Sequence, residues 1–440
     1  LIVTSSGGGG LIQAAKAKEQ EALAKDPTLI VVRKDLIKDW LGKNFGGYCV
    51  NRWNQAQLKG DVADQTFCVW AQFFADYLFW PNIFLCALYT LFKEDVDLII
   101  DTQPLGTSAI CLALRIFNRK KGKKVLLEKI LVDLPTKKAI HFFRPIKGLS
   151  KKNRPFLKLT TIAPLLDEGQ TAAEFWKVNC GLSEQQINYE DVYVREQFRK
   201  FRQRARTEEP LTFKVRYKNK EELQLMRKSF ERGSIQSKIE ETQVEFQIRP
   251  DDRMITILLG SQPANEATLN YVKKFAQIAK EPNISRKKTH LFVFCADHEI
   301  GKETLYKKVA DFVSKIKEYP KHFSIIPFSF QNEDVIAPLF FRSDLTCTRS
   351  GGQTAMELMS VSLGEMWIHS EAKKESSQKE ISMEELLKGI PGWEAENAVY
   401  LQKIRGAKVL TPETFAPHAR RLMREGESQA VPNRRLESTA

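Results

Sequence analysis

A chain of 440 residues, of which 42% are hydrophobic and 28% charged, is long enough for two globular domains and is not composed like a disordered protein. It carries 68 lysines and arginines against 54 aspartates and glutamates, and this net charge of +14 predicts an anionic partner: an acidic lipid surface, a nucleic acid or a phosphate-bearing substrate. The seven cysteines are dispersed without a CxxC pair, which argues against a disulfide framework or a structural zinc site and favours a reducing, cytoplasmic compartment.

The first predicted element is a short buried strand, Leu1 to Thr4, followed by a loop with four glycines and a helix from Leu11 to Ala24. A helix that begins behind a glycine loop favours negative charge at its start, so Gly8 and Gly9 are candidate phosphate-binding residues. The alternative is an ordinary flexible turn. A chain that starts directly in a strand is also compatible with a fragment of a longer protein.

The segment 67–92 is crowded with apolar and aromatic residues, but Gln72, Asp76 and Asn82 interrupt it. Polar groups are costly in hydrocarbon, so we predict two helices that meet at Pro81 and no membrane span. Core packing is the more frequent origin of such aromatic stripes. A surface that dips into a membrane is the alternative.

Two predicted buried strands, within 96–101 and 124–133, end in acidic residues. Loops at the carboxyl ends of parallel strands carry functional groups, so Asp101 and Asp133 are our candidate catalytic carboxylates. A structural cap is an equally good explanation for Asp133. His141 lies beyond it as either a binding or a packing residue.

A long segment, 196–250, separates the two halves of the chain and begins with the strongly basic run 198–206. Its arginines and two phenylalanines are compatible with binding to RNA or to anionic lipid. The alternative is a solvated helix face.

The second half alternates predicted strands and helices regularly, which indicates another parallel sheet. Its first strand, which starts at Met254, ends in the turn Gly260-Ser261, and a later strand is followed by Pro327-Phe328. Gly260 and Ser261 are therefore candidate ligand-binding residues.

A further junction combines a strand over 344–347, a reversal at Gly351 and Gly352, and a helix over 353–360. Its first helical turn directs free N–H groups toward a bound phosphate. Glu357 lies one to two turns into the helix, where its carboxylate can accept hydrogen bonds from a ribose diol. The alternative is an ordinary αβ turn with a solvated glutamate.

The segment from Ile325 to Leu410 resembles the C-terminal half of the bacterial peptidoglycan glycosyltransferases that add N-acetylglucosamine to lipid-linked muramyl pentapeptide, and of the monogalactosyldiacylglycerol synthases. The motifs that carry the resemblance are, in order, Ile326-Pro327-Phe328, Ser343-Asp344-Leu345, Arg349-Ser350-Gly351 with Thr354, Glu357-Leu358, Pro391 to Ala398 and Gly406-Ala407. The resemblance implies that Glu357 holds the ribose and that Glu394 and Asn397 meet the donor sugar. It also implies that backbone groups at Phe328 read the nucleotide base, and that Arg349, Ser350 and Thr354 belong to the donor site.

The sequence departs from these families at three places. Gly10 stands where they carry a histidine thought to be the catalytic base, and Asp133 is our replacement candidate. Ser362-Leu363-Gly364 replaces their Gly-x-Pro, and a charged segment, 371–387, is inserted where donor specificity is usually set.

The resemblance implies an α/β chain of two Rossmann-like domains facing a central cleft, the arrangement called GT-B. The expected divisions are an acceptor-side domain at 1–195, the basic insertion at 196–250, a nucleotide-sugar domain at 251–415 and a basic tail at 416–440.

The expected activity is transfer of a hexose from a UDP- or GDP-sugar to a hydroxyl of a lipid or protein, without a metal or other cofactor, in the cytoplasm or at a membrane surface. One alternative is a nucleotide-sugar 2-epimerase of the same fold. The other is a non-catalytic protein that binds RNA or translation components through its basic surface.

Overall fold

The chain alternates strands and helices through two parallel sheets of six strands each, with a small antiparallel sheet between them in sequence. The computed structural model describes residues 1–202, 204, 209–373 and 380–424. Parts of three predicted segments, the basic run 198–206, the charged segment 371–387 and the tail 416–440, lie outside the described residues.

The first sheet has the strand order β2-β1-β3-β4-β5-β6, and all its strands are parallel. Its strands are β1 Ile2–Thr4, β2 Arg33–Asp35, β3 Ile99–Asp101, β4 Leu127–Ile130, β5 Leu157–Thr161 and β6 Ile187–Tyr189. Its α-helices are α1 Gly9–Lys25, α2 Lys43–Lys59, α3 Val62–Leu78, α4 Trp80–Glu94, α5 Thr107–Lys121, α6 Ile140–Lys147 and α7 Ala172–Cys180. A π-helical turn, Leu36–Trp40, precedes α2.

The segment between the sheets folds onto the second half of the chain. Its elements are α8 Glu196–Arg202, β7 Leu211–Arg216, α9 Lys220–Phe230, β8 Gln236–Glu240 and β9 Gln243–Ile248, with the antiparallel order β7-β9-β8. Phe213 and Phe246 of this sheet contact Phe292 of the second parallel sheet, with ring centroids 5.7 and 6.3 Å away. The inserted segment therefore shares a core with the second domain.

The second parallel sheet has the order β12-β11-β10-β13-β14-β15. Its strands are β10 Arg253–Leu258, β11 Thr289–Phe294, β12 Phe323–Phe328, β13 Leu345–Thr348, β14 Glu365–His369 and β15 Lys408–Leu410. Its helices are α10 Asn265–Ile278, α11 Leu305–Lys315, α12 Glu333–Arg342, α13 Gly352–Val361, α14 Met383–Lys388, α15 Gly392–Arg405 and α16 Ala416–Arg424. Strands β10 to β12 are buried at every position, as expected for a sheet covered on both faces.

Both sheets are doubly wound, because each begins at an inner strand and extends in two directions. The direction of winding changes beside β1 in the first sheet and between β10 and β13 in the second. Ligands of open α/β sheets bind outside the carboxyl ends of the strands at such switch points. The predicted pair of Rossmann-like domains is confirmed, and the glycine loops after β1 and β13 both lie at these points.

Candidate functional site

The two domains meet backbone against backbone at their glycine loops. A Cβ atom at Gly352 would lie 2.2 Å from the carbonyl oxygen of Val132 and 2.5 Å from the Cα of Asp133, so only glycine fits at the start of α13. A Cβ at Gly9 would lie 2.9 Å from Oγ of Ser261. The carboxyl ends of both sheets therefore face one cleft, which is the GT-B arrangement.

Two helices from different domains begin at this cleft without a capping side chain. Helix α1 has Gly8 as its N-cap and α13 has Gly351, and neither residue has a side chain that could accept a hydrogen bond from the first helical turn. Both helix starts line one cavity of about 170 Å³, which we call the cleft cavity. Their N–H groups and the positive ends of their dipoles converge on a space suited to a phosphate group.

Arg349 places a cation beside these helix starts. Its Nη2 donates to Oε1 of Gln65 across the domain boundary at 2.6 Å and lies 3.5 Å from Oε2 of Glu394. Burial raises the pKa of Glu394, Arg349 offsets part of this rise, and the nearby carboxylate of Asp133 adds to it. Glu394 therefore holds its proton above the usual carboxyl range.

The predicted sugar-contact residues on α15 are fixed by the loop after β13. Ser350 donates from Oγ to the carbonyl oxygen of Glu394 at 2.6 Å, and Asn397 donates from Nδ2 to the carbonyl oxygen of Ser350 at 2.9 Å. Nδ2 of Asn397 also lies 3.4 Å from Oδ1 of Asp133. The Oδ1 atom of Asn397 is buried and has no partner among the described residues.

Asp133 and His141 form a pair that the sequence alone did not reveal. Nε2 of His141 lies 2.8 Å from Oδ2 of Asp133, both side chains are largely buried, and both line the cleft cavity. Nδ1 of His141 is buried and has no hydrogen-bond partner within the described part of the chain. The sequence shows only that His141 follows Asp133 by eight residues, and this spacing does not predict a contact between them.

A second chamber of about 210 Å³ continues from the cleft cavity along α13. Residues that line both spaces are Gly9, Gly10, Gly260, Ser261, Gln353 and Thr354. Glu357 lies in the second chamber, where Nε and Nη2 of Arg195 donate to its two carboxylate oxygens at 2.8 and 3.0 Å. Arg195 also donates to Glu333 at 3.2 Å. Arg195 also lines the second chamber, and the sequence analysis did not single it out.

The loop after β12 lines the second chamber, and Phe328 lies just before this loop. Strand β12 extends through Phe328, whose side chain is buried in the core and whose carbonyl oxygen accepts from the N–H of Cys295 at 2.8 Å. The residues that reach the chamber are the next three, Ser329, Phe330 and Gln331. The binding role of Phe328 stays a prediction.

Asp101 lies behind the cleft. Its carboxylate is fully buried, pairs with Nζ of Lys129 at 2.7 Å and accepts from the N–H of Gln103 at 2.8 Å. It is not among the residues that line the cleft cavity. The catalytic role of Asp101 stays a prediction, and the buried ion pair gives it a structural role.

A third space, the apolar chamber, opens beside the cleft in the first domain. It encloses about 300 Å³ between the π-helical turn and helices α2 and α3. Its apolar and aromatic lining includes Ile37, Leu41, Phe45, Phe67, Phe74, Leu78 and Phe79. It shares Gly7, Trp53 and Gln72 with the cleft cavity. Trp53 stacks on Trp393 of α15, with ring centroids 6.4 Å apart, so the two spaces meet at this aromatic pair.

In the described ranges, no helix has both the length and the apolarity to cross a membrane. Across the same residues, no three histidine, cysteine, aspartate or glutamate side chains are grouped so that they would hold a metal ion.

The sequence matches no family model, and no curated protein matches it. Among solved structures, the chain is similar to MurG from Acinetobacter baumannii, with 13% identity, a TM-score of 0.42 and coverage of 99% of this chain and 94% of that one. It is also similar to a putative UDP-N-acetylglucosamine 2-epimerase from Listeria monocytogenes, with 13% identity, a TM-score of 0.45 and coverage of 97% and 89%. The spinosyn rhamnosyltransferase SpnG, solved with thymidine diphosphate, gives 9% identity, a TM-score of 0.46 and coverage of 99% and 94%.

Proposed function

We propose that this chain transfers a hexose from a nucleoside diphosphate sugar to an acceptor hydroxyl. The observation that carries the proposal is the convergence of two uncapped helix starts, at Gly9 and Gly352, on one cavity that also holds Arg349. Preorganised N–H groups and a cation at this point would stabilise the diphosphate as it departs.

The second chamber supports the placement of the nucleoside. It combines aromatic side chains, Phe294 and Phe330, with the polar residues Gln331 and Glu357. The carboxylate of Glu357 accepts from Arg195 and from Nε2 of Gln353, and a ribose diol would donate to its remaining lone pairs. A donor bound in this orientation would direct its sugar from the helix starts toward Glu394 and Asn397.

Buried polar atoms without partners surround the cleft, which favours a polyhydroxylated ligand. Nε1 of Trp53, Oε1 of Gln72, Nδ1 of His141 and Oε1 of Gln353 all belong to residues that line the cleft cavity, and no described residue pairs with them. A buried polar atom left unpaired costs about 1–3 kcal/mol, and a sugar supplies both hydrogen-bond donors and acceptors for such atoms.

For the acceptor we propose a lipid with a free hydroxyl. The apolar chamber meets the cleft cavity at Trp53 and Gln72, so a hydrocarbon chain in it would bring an attached hydroxyl toward the donor sugar. The same chamber favours transfer over 2-epimerisation, because an epimerase needs no separate acceptor.

The donor site is tested by thermal stabilisation against a panel of UDP-, GDP-, ADP- and dTDP-sugars. A ligand at 100 times its Kd stabilises the native state by about 2.7 kcal/mol, so one class of donor is expected to raise the Tm by several degrees. Glu357→Ala is expected to abolish this rise.

Glu333→Ala is the matched control, because Glu333 also pairs with Arg195 but does not line the second chamber. It should keep the donor-dependent rise in Tm. No stabilisation of the wild-type protein by any donor would contradict the proposed function and would favour a binding protein that keeps the fold without the chemistry.

A further inference from the structure

The acceptor hydroxyl in the proposed transfer must lose a proton, and the first glycine loop offers no side chain to take it. Gly10 lies in the cleft cavity without a side chain, and a Cβ atom there would only contact Gln353 and Val132, at 3.5 and 3.6 Å. The proton acceptor must therefore come from another wall of the cleft cavity.

We propose that His141 is the general base of this reaction and that Asp133 positions it; the inference rests on the proposed function. His141 lies at the start of α6, and Asp133 follows β4 at the carboxyl end of the sheet. The 2.8 Å contact to Asp133 uses Nε2 of the imidazole, so Nδ1 is the ring nitrogen left to accept a proton. The two residues therefore have different roles: His141 takes the proton from the acceptor, and Asp133 acts only by positioning His141.

The step balances in atoms and charge. The acceptor oxygen forms a bond to C1 of the sugar and gives its proton to Nδ1 of His141. The bond from C1 to the phosphate oxygen breaks, and the nucleoside diphosphate leaves with that electron pair. Asp133 stabilises the imidazolium that forms, and a single displacement of this kind inverts the configuration at C1.

The charged and titratable groups near His141 suit this role. Asp133 faces it from the loop after β4, Glu394 from α15 and Arg349 from the loop after β13, and these groups interact electrostatically. Burial raises the pKa of Glu394, so this carboxyl tends to stay neutral, and Asp133 supplies the carboxyl group that contacts the imidazole. The ring of Trp393 lies edge-on to the imidazole, with the ring centroids 5.6 Å apart.

A second histidine, His290, is also paired with an aspartate but lies outside the cleft. Nε2 of His290 lies 3.1 Å from Oδ2 of Asp252, and its Nδ1 is likewise buried without a partner in the part of the chain that is described. His290 lies at the amino end of β11, opposite the cleft. The pair alone therefore does not define a base, and the position of His141 in the cleft cavity is what distinguishes it.

The test measures release of nucleoside diphosphate over a range of pH. The donors are UDP-glucose, UDP-galactose, UDP-N-acetylglucosamine and GDP-mannose. The acceptor is either diacylglycerol, supplied in vesicles, or water. His141→Gln keeps a donor to Asp133 but has no basic nitrogen. We expect it to lower kcat about 10²- to 10⁴-fold, to remove the acid limb of the pH profile, and to leave donor stabilisation unchanged.

Asp133→Asn should lower kcat less and should move the acid limb to lower pH, because asparagine does not stabilise an imidazolium. His290→Gln is the matched control and should keep both kcat and the acid limb. Wild-type turnover with an unchanged kcat and acid limb in His141→Gln would overturn the base assignment alone. No turnover of any donor by the wild-type protein would overturn the proposed function and the base assignment together.

Discussion

At the scale of single residues, Glu394 illustrates how the cleft alters the chemistry of a side chain. Its carboxyl is buried between Arg349 and Asp133, and burial raises its pKa more than the guanidinium of Arg349 lowers it. The protonated form can donate a hydrogen bond to a sugar oxygen, which a carboxylate cannot do. The cleft therefore offers a ligand both donors and acceptors from acidic residues.

This protonation predicts a pH-dependent stability. A raised pKa in the folded state means that stability is highest below the ordinary carboxyl range and is lost as pH rises through the folded-state pKa. Glutamine cannot ionise, so Glu394→Gln does not lose this stability as the pH rises. The difference between the Tm of the variant and the Tm of the wild type should therefore increase from pH 5 to pH 8. Glu396→Gln, on the same helix, is the matched control. An equal pH response in both variants would contradict the burial argument.

At the scale of elements, the start of α13 decides how closely the domains approach. Gly352 begins this helix and has the backbone of Val132 and Asp133 within 2.5 Å of where a Cβ atom would lie. Backbone atoms cannot move aside as the end of a flexible side chain can. The glycine is therefore needed for the close contact between the domains.

Gly352→Ala is expected to force the loops apart and to destabilise the protein by about 1–3 kcal/mol, with loss of donor stabilisation. The matched control is Gly392→Ala. Gly392 also begins a helix, α15, but nothing lies within 4 Å of its Cβ position. Its Tm should be unchanged or slightly higher, since alanine favours helices. Equal Tm values for both variants would show that the domains do not meet at Gly352.

The regular elements were largely predictable from sequence, because apolar periodicity and glycine turns mark them locally. The two helices that meet near Pro81 and the helix behind Gly352 follow from such patterns. Strand β2, Arg33–Asp35, was missed, since it is short, polar and partly exposed. The strand predicted over 124–133 is shorter in the structure, at Leu127–Ile130.

The candidate site was predictable only where one loop supplies it. Gly351, Arg349 and Glu357 lie within a few residues of each other, so a motif identifies them together. The contacts of Arg195 with Glu357 and of His141 with Asp133 join different elements, and no local pattern encodes those distances. These two pairs therefore depend on tertiary contacts, which the sequence alone does not predict.

At the scale of the whole molecule, the cleft lies beside an exposed aromatic face on α3. Phe67, Trp70, Phe74 and Tyr77 follow helical spacing and are 54%, 56%, 68% and 83% exposed. Arg52 and Arg144 lie over Phe67 and Phe73 of the same helix, at 4.6 and 4.7 Å from the ring centroids. Aromatic side chains flanked by arginines suit the interface of an anionic membrane, and the apolar chamber opens in the same region.

The measurement that tests the account most directly is transfer of hexose into lipid, detected by mass spectrometry. The wild-type protein is incubated with the donor that stabilises it and with vesicles of phosphatidylglycerol and diacylglycerol. We predict a lipid that carries one added hexose. The double variant Phe74→Ser with Tyr77→Ser should form several-fold less of it while keeping donor stabilisation. A donor that is isomerised instead, or one that is bound but never consumed, would contradict the proposed transfer.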